Sequence, residues 1–378
     1  MSAQHLAPLT WLRGCAAFFV VVHHCFYTAG VAYAPEDVPA YFTPLNFLDL
    51  GTFAVYLFFA LSGCALTLGF KDKLAGPATI GAFYVQRWMR IWPVFAFSVL
   101  LYAAYRVFYK AYYTADLNFW VGQLARDYDL FSVLKCLSLT FNIFGPKTIF
   151  IGAYWSLPVE FQYYLLLPLA LLLMNKIKSP WAFVVPVALG ALMYFIYAKK
   201  LHGFNDASLF SRAYVFFGGV LAAFMYPYIH RRLPWQASLF VFVFLLLALG
   251  LVRHSFVTLP QTLLFISDEG NFDGVCAILM VWVGLLTRLP AHRSRMLRFL
   301  EHYGTISYSI YLFHYLFISA AALAVIYWHI FGGYQKFFFI VTVALVGSYG
   351  CASLTYRWIE KPSIALGRRW ARRITSRG

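Results

Sequence analysis

Charge is what this chain has least of. Of its 378 residues only 12% are Asp, Glu, Lys or Arg, while 62% are hydrophobic and 20% aromatic. A soluble domain carries about a quarter charged residues. The shortfall runs along the whole chain, which excludes a soluble domain hung on a single anchor. No stretch alternates polar and apolar residues as a half-buried strand does, and none reads as a βαβ unit. Acids are scarcest: 14 Asp+Glu stand against 30 Lys+Arg, a formal charge of +16. In a soluble protein that excess would point to nucleic acid. In so apolar a chain it is the basic bias of cytoplasmic loops, and no nucleic-acid partner is expected. The six cysteines are scattered without a CxxC, mostly inside apolar runs. Neither a disulfide framework nor a metal site is expected from them. The first apolar stretch holds Arg13, His23 and His24 and lacks both a basic leader and an A-x-A site. It reads as a retained first span, not a cleaved signal.

What is present is a series of apolar runs near the roughly 20 residues that a bilayer demands. They fall near 7–28, 51–70, 91–109, 154–174, 181–198, 208–227, 237–252, 272–288, 305–327 and 337–358. The expected fold is therefore an all-α integral membrane bundle of about ten helices with both termini cytoplasmic. With that orientation the inner segments carry nineteen basic residues against three acids, and the outer ones ten against ten. The even count and the orientation support each other. The stretch 131–145 is short and interrupted by Lys135, and reads as interfacial or re-entrant.

Ionisable side chains inside spans are costly and point to function by default. Arg13 and His24 lie eleven residues apart in the first span. On a helix this puts them within about 20° of one face and about 16 Å apart along the axis. The pair lines one groove, Arg13 near the cytoplasmic end and His24 beyond the midplane; His23 points about 100° away. Taken alone, Arg13 would also suit a headgroup anchor and His24 a bond to a backbone carbonyl. Glu160 opens the fourth span at a depth comparable to His24, where a carboxylate would fix an imidazole tautomer and raise its basicity. Arg87 and Arg90 share a face at i,i+3 on the cytoplasmic side and suit phosphates. Ser62-Gly63 breaks the second span and permits close backbone approach. His314 lies five residues past Ser309 and so off its face, and Arg357 is expected to pair with Glu360 at the end of the last span. An equal reading of these charges alone is a transporter, with Arg13, His24 and Glu160 as a proton or anion path.

The same stretches carry a family resemblance. Leu12-Arg13-Gly14-Cys15-Ala16-Ala17 through His23-His24, Leu57-Phe58-Phe59-Ala60-Leu61-Ser62-Gly63 and Arg87-Trp88-Met89-Arg90-Ile91-Trp92-Pro93 open the series. Trp155-Ser156-Leu157-Pro158-Val159-Glu160 with Tyr163-Tyr164, Ile306-Ser307-Tyr308-Ser309-Ile310-Tyr311-Leu312-Phe313-His314 and Arg357-Trp358-Ile359-Glu360-Lys361-Pro362 complete it. In this order they resemble the membrane acyltransferase 3 family from residue 12 to 362. Departures are Thr10-Trp11 before the first element, Cys64 after Ser62-Gly63, and Pro158, which falls in a first helical turn where proline is tolerated.

The resemblance implies transfer of an acyl group, usually acetyl, from cytoplasmic acyl-CoA to a hydroxyl of a saccharide or lipid-linked acceptor. It implies His24 as base or acyl carrier with Glu160 assisting. Arg13, Arg87 and Arg90 would bind acyl-CoA, and His23, Ser62, Tyr308 and His314 would support them. Acyl-CoA (acetyl-CoA above all) is the only co-substrate expected. Residues 1–362 would form the transmembrane acyltransferase domain in the cytoplasmic (inner) membrane, and 363–378 a basic cytoplasmic tail. The chain resembles family members without a C-terminal hydrolase-like domain. Tyr33, Tyr41, Phe42, Tyr112, Tyr113, Phe119 and Trp120 in the outer loops would suit sugar rings or, equally, a membrane interface.

Overall fold

Apolar runs without a strand period fold here as helices. The computed structural model describes residues 7–30, 47–113, 119–144, 150–177, 179–199, 207–253, 269–289, 294–329 and 333–376. The loop aromatics Tyr33, Tyr41 and Phe42, and the side chains of Phe119 and Trp120, lie outside the described residues. In chain order the helices are α1 (Ala7–Ala29), α2 (Gly51–Phe70), α3 (Pro77–Tyr112), α4 (Leu130–Leu137) and α5 (Ser156–Ile177). Then come α6 (Val184–Ala198), α7 (Ala213–Met225), α8 (Trp235–Arg253), α9 (Glu269–Leu286) and α10 (Arg295–Thr305). The last are α11 (Ser307–Tyr327), α12 (Gly333–Thr355) and α13 (Lys361–Thr375). Two-residue strands, β1 (Leu233–Pro234) and β2 (Thr287–Arg288), pair in parallel. The protein is an all-α membrane protein: among the described residues eight helices are long and apolar enough to cross a bilayer, and 213–228 and 270–286 are shorter apolar helices.

The chain divides into two units, the first Met1–Phe19, Pro44–Gly76 and Gln162–Thr305, the second Val20–Thr43, Pro77–Phe161 and Ile306–Gly378. In the first unit α2 packs on α7 and α9, and α7 also on α6. The α2–α7 crossing is made by missing side chains. A Cβ at Gly63 would collide with the Phe216 carbonyl, and one at Gly219 with that of Ala60. Small residues of this kind let membrane helices approach backbone to backbone. The expected close approach at Ser62-Gly63 is thus realised, but α2 runs unbroken through it.

In the second unit α11 packs on α12, and α13 on α3. At 36 residues α3 far exceeds the expected span 91–109. Its length is about 54 Å, more than an apolar core of about 30 Å, and its half before Arg90 precedes the expected span. That half is where α13 docks: Gly367 lies against Met89 and Gln86, where a Cβ would clash. The basic stretch after Pro362 is therefore a helix, running on from α12 through a π-turn at Tyr356–Glu360. At the far end of α3, Asp127 binds Lys110 at 2.8 Å and Arg106 at 2.6 Å, and these two cations hold its carboxyl below the usual carboxylate range. The segment expected to be interfacial contains α4, eight residues long, capped by Asp129 and exposing Leu130, Phe131 and Leu134.

Candidate active site

Two imidazoles meet in the second unit. His24, from α1, is 9% exposed and His314, from α11, is fully buried. His24 Nδ1 lies 2.8 Å from the Val20 carbonyl oxygen, one turn back. His314 Nδ1 lies 2.8 Å from the Tyr311 carbonyl oxygen. A carbonyl only accepts, so in the neutral rings each Nδ1 carries the proton. His314 Nε2 then bears a lone pair, and it faces His24 Nδ1 at 3.2 Å. The His24 proton is shared between Val20 and His314, and the His24 lone pair resides on Nε2. The cluster closes with Tyr315, its ring 4.7 Å from His24, and His23, which meets His24 edge-on at 5.0 Å and Tyr27 at 4.8 Å.

The turn that carries His314 is held from two sides. Tyr311 donates to the Ala153 carbonyl and accepts from Ser156 Oγ at 2.7 Å. This pins α11 to the start of α5, one turn before Glu160, which is half-buried and within electrostatic reach of Tyr311. From α3, Tyr102 accepts from Leu316 N at 3.1 Å and donates to Leu312 O at 3.0 Å. Those two groups would bond each other in an unbroken helix. The hydroxyl is inserted into the helical ladder around His314.

A second cluster sits further back on α11. Glu360, fully buried in the π-turn, lies 2.8 Å from Arg90 Nη1 through Oε1, an ion pair not aligned as a hydrogen bond. Its Oε2 accepts from Ser309 at 2.7 Å. Glu360 thus pairs with Arg90 and not with Arg357, which is exposed. The i,i+3 expectation failed because the π-turn at 356–360 alters the helical spacing and aims the carboxylate at α3. Tyr308 donates to the Ile91 carbonyl at 2.9 Å. Arg87 is half-buried one turn before Arg90. Beside it, Gln86 lines a cavity of about 480 Å³ with Arg368 and Arg372 of α13.

The other expected residues belong to the first unit. Arg13 is half-buried on α1 and within electrostatic reach of Cys64. Ser62, buried, approaches the Tyr164 hydroxyl at 3.4 Å. Among the described residues no group of three His, Cys, Asp or Glu has metal-site geometry. Sequence reasoning missed Tyr102, whose only signal was a tyrosine within a span, and Arg212. The latter lies inside the expected run 208–227 yet was counted with the outer basic residues; it is 8% exposed at the start of α7.

The family profile described as an acyltransferase domain matches residues 7–357. Among curated proteins the chain is similar to Nodulation protein 10 of Rhizobium leguminosarum bv. viciae, 25% identical over 330 residues, covering 82% of each chain. No solved structure matches.

Proposed function

The chain belongs to the acyltransferase 3 family, and from that premise we propose that it transfers an acyl group from cytoplasmic acyl-CoA to a hydroxyl of a saccharide or lipid-linked acceptor at the inner membrane. The observation that carries this reading is the His24–His314 pair, whose tautomers put the His24 lone pair on Nε2. His24 Nε2 takes the proton of the acceptor hydroxyl as its oxygen attacks the thioester carbonyl. A C–O bond forms, the C–S bond breaks, and the thiolate leaves with the proton returned by the imidazolium. While charged, His24 presents Nδ1–H to Val20 and to the His314 lone pair, so the site stabilises the cation it creates. General-base help of this kind is worth about 10²–10⁴-fold.

The donor's phosphates suit the basic surface where α3 and α13 meet. Arg87 precedes Arg90 by a turn, and the cavity beside Gln86 is lined by Arg368 and Arg372. Arginine forks suit phosphate oxygens. We place this surface, both termini and the ten-span topology on the cytoplasmic bias of basic residues, and take acetyl as the acyl group. Arg13 is taken as a further acyl-CoA-binding residue, and Glu160 would act through Tyr311 and its helix.

The test is acyl-CoA turnover by purified protein in liposomes, wild type against His24→Ala, over a panel of hydroxyl acceptors. Acceptor-dependent release of CoA that disappears in the variant is expected. Full turnover in His24→Ala would end the assignment, and solute uptake without acyl-CoA consumption would favour a transporter.

A further inference from the structure

Among the described residues, a buried guanidinium in the first unit has no acid paired with it. Arg212 is 8% exposed, just before α7. Its Nε donates to the Tyr56 hydroxyl of α2 at 2.6 Å, and the guanidinium also lies over the Tyr56 ring. Its Nη1 reaches the Ser211 carbonyl and Asn271 Oδ1 of α9, each at 3.4 Å. These partners are neutral, and among the described residues no carboxylate pairs with it. The acid next along α9, Asp273, is bound to Arg253 at 2.6 Å. The two N–H groups of Nη2 have no acceptor among the described residues.

Two hydroxyls near it are orphaned as well. Tyr163 is fully buried, its ring stacked on Phe216 at 4.9 Å and edge-on to Phe59 at 5.5 Å. Phe216 is one turn on from Arg212, and Phe59 nearly one turn on from Tyr56, so the same two helices hold both groups. The Tyr163 hydroxyl makes no hydrogen bond among the described residues. Neither does Ser208 Oγ, in the turn that ends at Ser211 and leads into Arg212. Buried polar groups are almost always satisfied, and exceptions call for a missing partner. A buried charge without a counter-charge is costlier still. One anion within reach of all three would satisfy them. The amide that faces it is fixed in the sense needed, because Asn271 Nδ2 donates to Tyr194 at 2.6 Å and turns Oδ1 toward Arg212.

We propose that Arg212, Tyr163 and Ser208 bind an oxyanion, a carboxylate or phosphate, carried by the acceptor. The acceptor is then an acidic saccharide or a phosphate-linked one, not a neutral glycan. This deepens the acyltransferase reading and rests on it for the word acceptor, but the oxyanion site itself stands on the first unit alone. The role of a purely structural arginine, pinning α7 to α2 through Tyr56, would make no distinction between charged and neutral ligands.

The experiment is equilibrium binding to the full chain in nanodiscs, with matched probes. One pair is a glucuronic-acid disaccharide and its glucose counterpart; the other is a polyprenyl phosphate and the free polyprenol. Wild type is expected to bind at least one acid member and to discriminate against its neutral match. Arg212→Gln should weaken that acid probe about 10- to 100-fold, and Tyr163→Phe by a smaller factor. The acid that binds names the source, saccharide or lipid carrier. Equal binding of acid and neutral members, binding of neither acid, or acid binding unchanged in Tyr163→Phe and Arg212→Gln would each overturn the site. Tyr163→Phe removes one oxygen and keeps the test valid if Arg212→Gln fails to fold. Acid-selective binding without acyl-CoA turnover would leave the site and sink the acyltransferase. Turnover without acid selection would do the reverse.

Discussion

His314 Nε2 lies 3.2 Å from His24 Nδ1, and each ring donates its own Nδ1 proton to a backbone carbonyl. His314 therefore holds the tautomer of its neighbour, as a carboxylate does in a serine-hydrolase triad, but without adding a negative charge.

Replacing His314 by Ala should remove the acceptor that meets the His24 imidazolium. A hydrogen bond to a charged group is worth about 1.5–3 kcal/mol, so kcat should fall about 10- to 150-fold with little change in the KM for acyl-CoA. His314→Gln, which can present a carbonyl oxygen to Nδ1, should lose less. Equal losses in the two variants would show that His314 acts through packing alone.

Arg90 and Glu360 make a separate prediction, about stability. Glu360 is fully buried, and removing its cation strands a charge, which costs about 3–5 kcal/mol. Arg90→Ala should therefore lower the midpoint of thermal unfolding in detergent more than the double variant Arg90→Ala/Glu360→Ala does. A double variant as unstable as the sum of the single ones would mean that the two groups are not coupled.

The apolar runs that became helices were legible because a bilayer leaves the backbone few other choices. The separation of Ser309 from His314 was legible by helix arithmetic. Ser309 indeed faces Glu360 while His314 faces His24. Partners distant in sequence were not legible. Arg357 was the obvious mate for Glu360 by spacing, yet a π-turn hands the carboxylate to Arg90. Nothing local announced that α3 would outrun its apolar span, or that α13 would fold against the excess. Arg212 was counted with the outer basic residues because its burial is decided by what α2 and α9 bring to it.

The crossing of α2 and α7 should tolerate no side chain at its two glycines. Gly219→Val would drive a branched carbon into the Ala60 carbonyl, and Gly63→Val one into that of Phe216. Backbone cannot yield as a flexible side chain can, so each variant should lose at least the roughly 1–3 kcal/mol typical of overpacking. Hydrogen exchange in α2 and α7 should rise in both. Gly69→Val, at a glycine of α2 with open space around it, is the control, and a loss there as large as at Gly63 would rule out the crossing as the cause.

Tyr102 offers the sharpest separation of positioning from stability. Its hydroxyl stands between Leu316 N and Leu312 O, the pair that flanks His314. In Tyr102→Phe the ring still fills its buried place, and the two backbone groups are freed to bond each other. The ladder closes, which offsets most of the lost hydrogen bonds, so unfolding should shift by no more than about 1–2 kcal/mol. Closing the ladder rotates the turn that carries His314 and lengthens its approach to His24. Turnover should then fall about tenfold or more, while acyl-CoA binding stays near wild type. A ¹⁵N histidine spectrum gives the structural readout: the His24 resonances should shift toward a mixture of tautomers. Wild-type turnover with an unshifted spectrum would show that the inserted hydroxyl serves packing, and that the histidine pair is set by α1 alone.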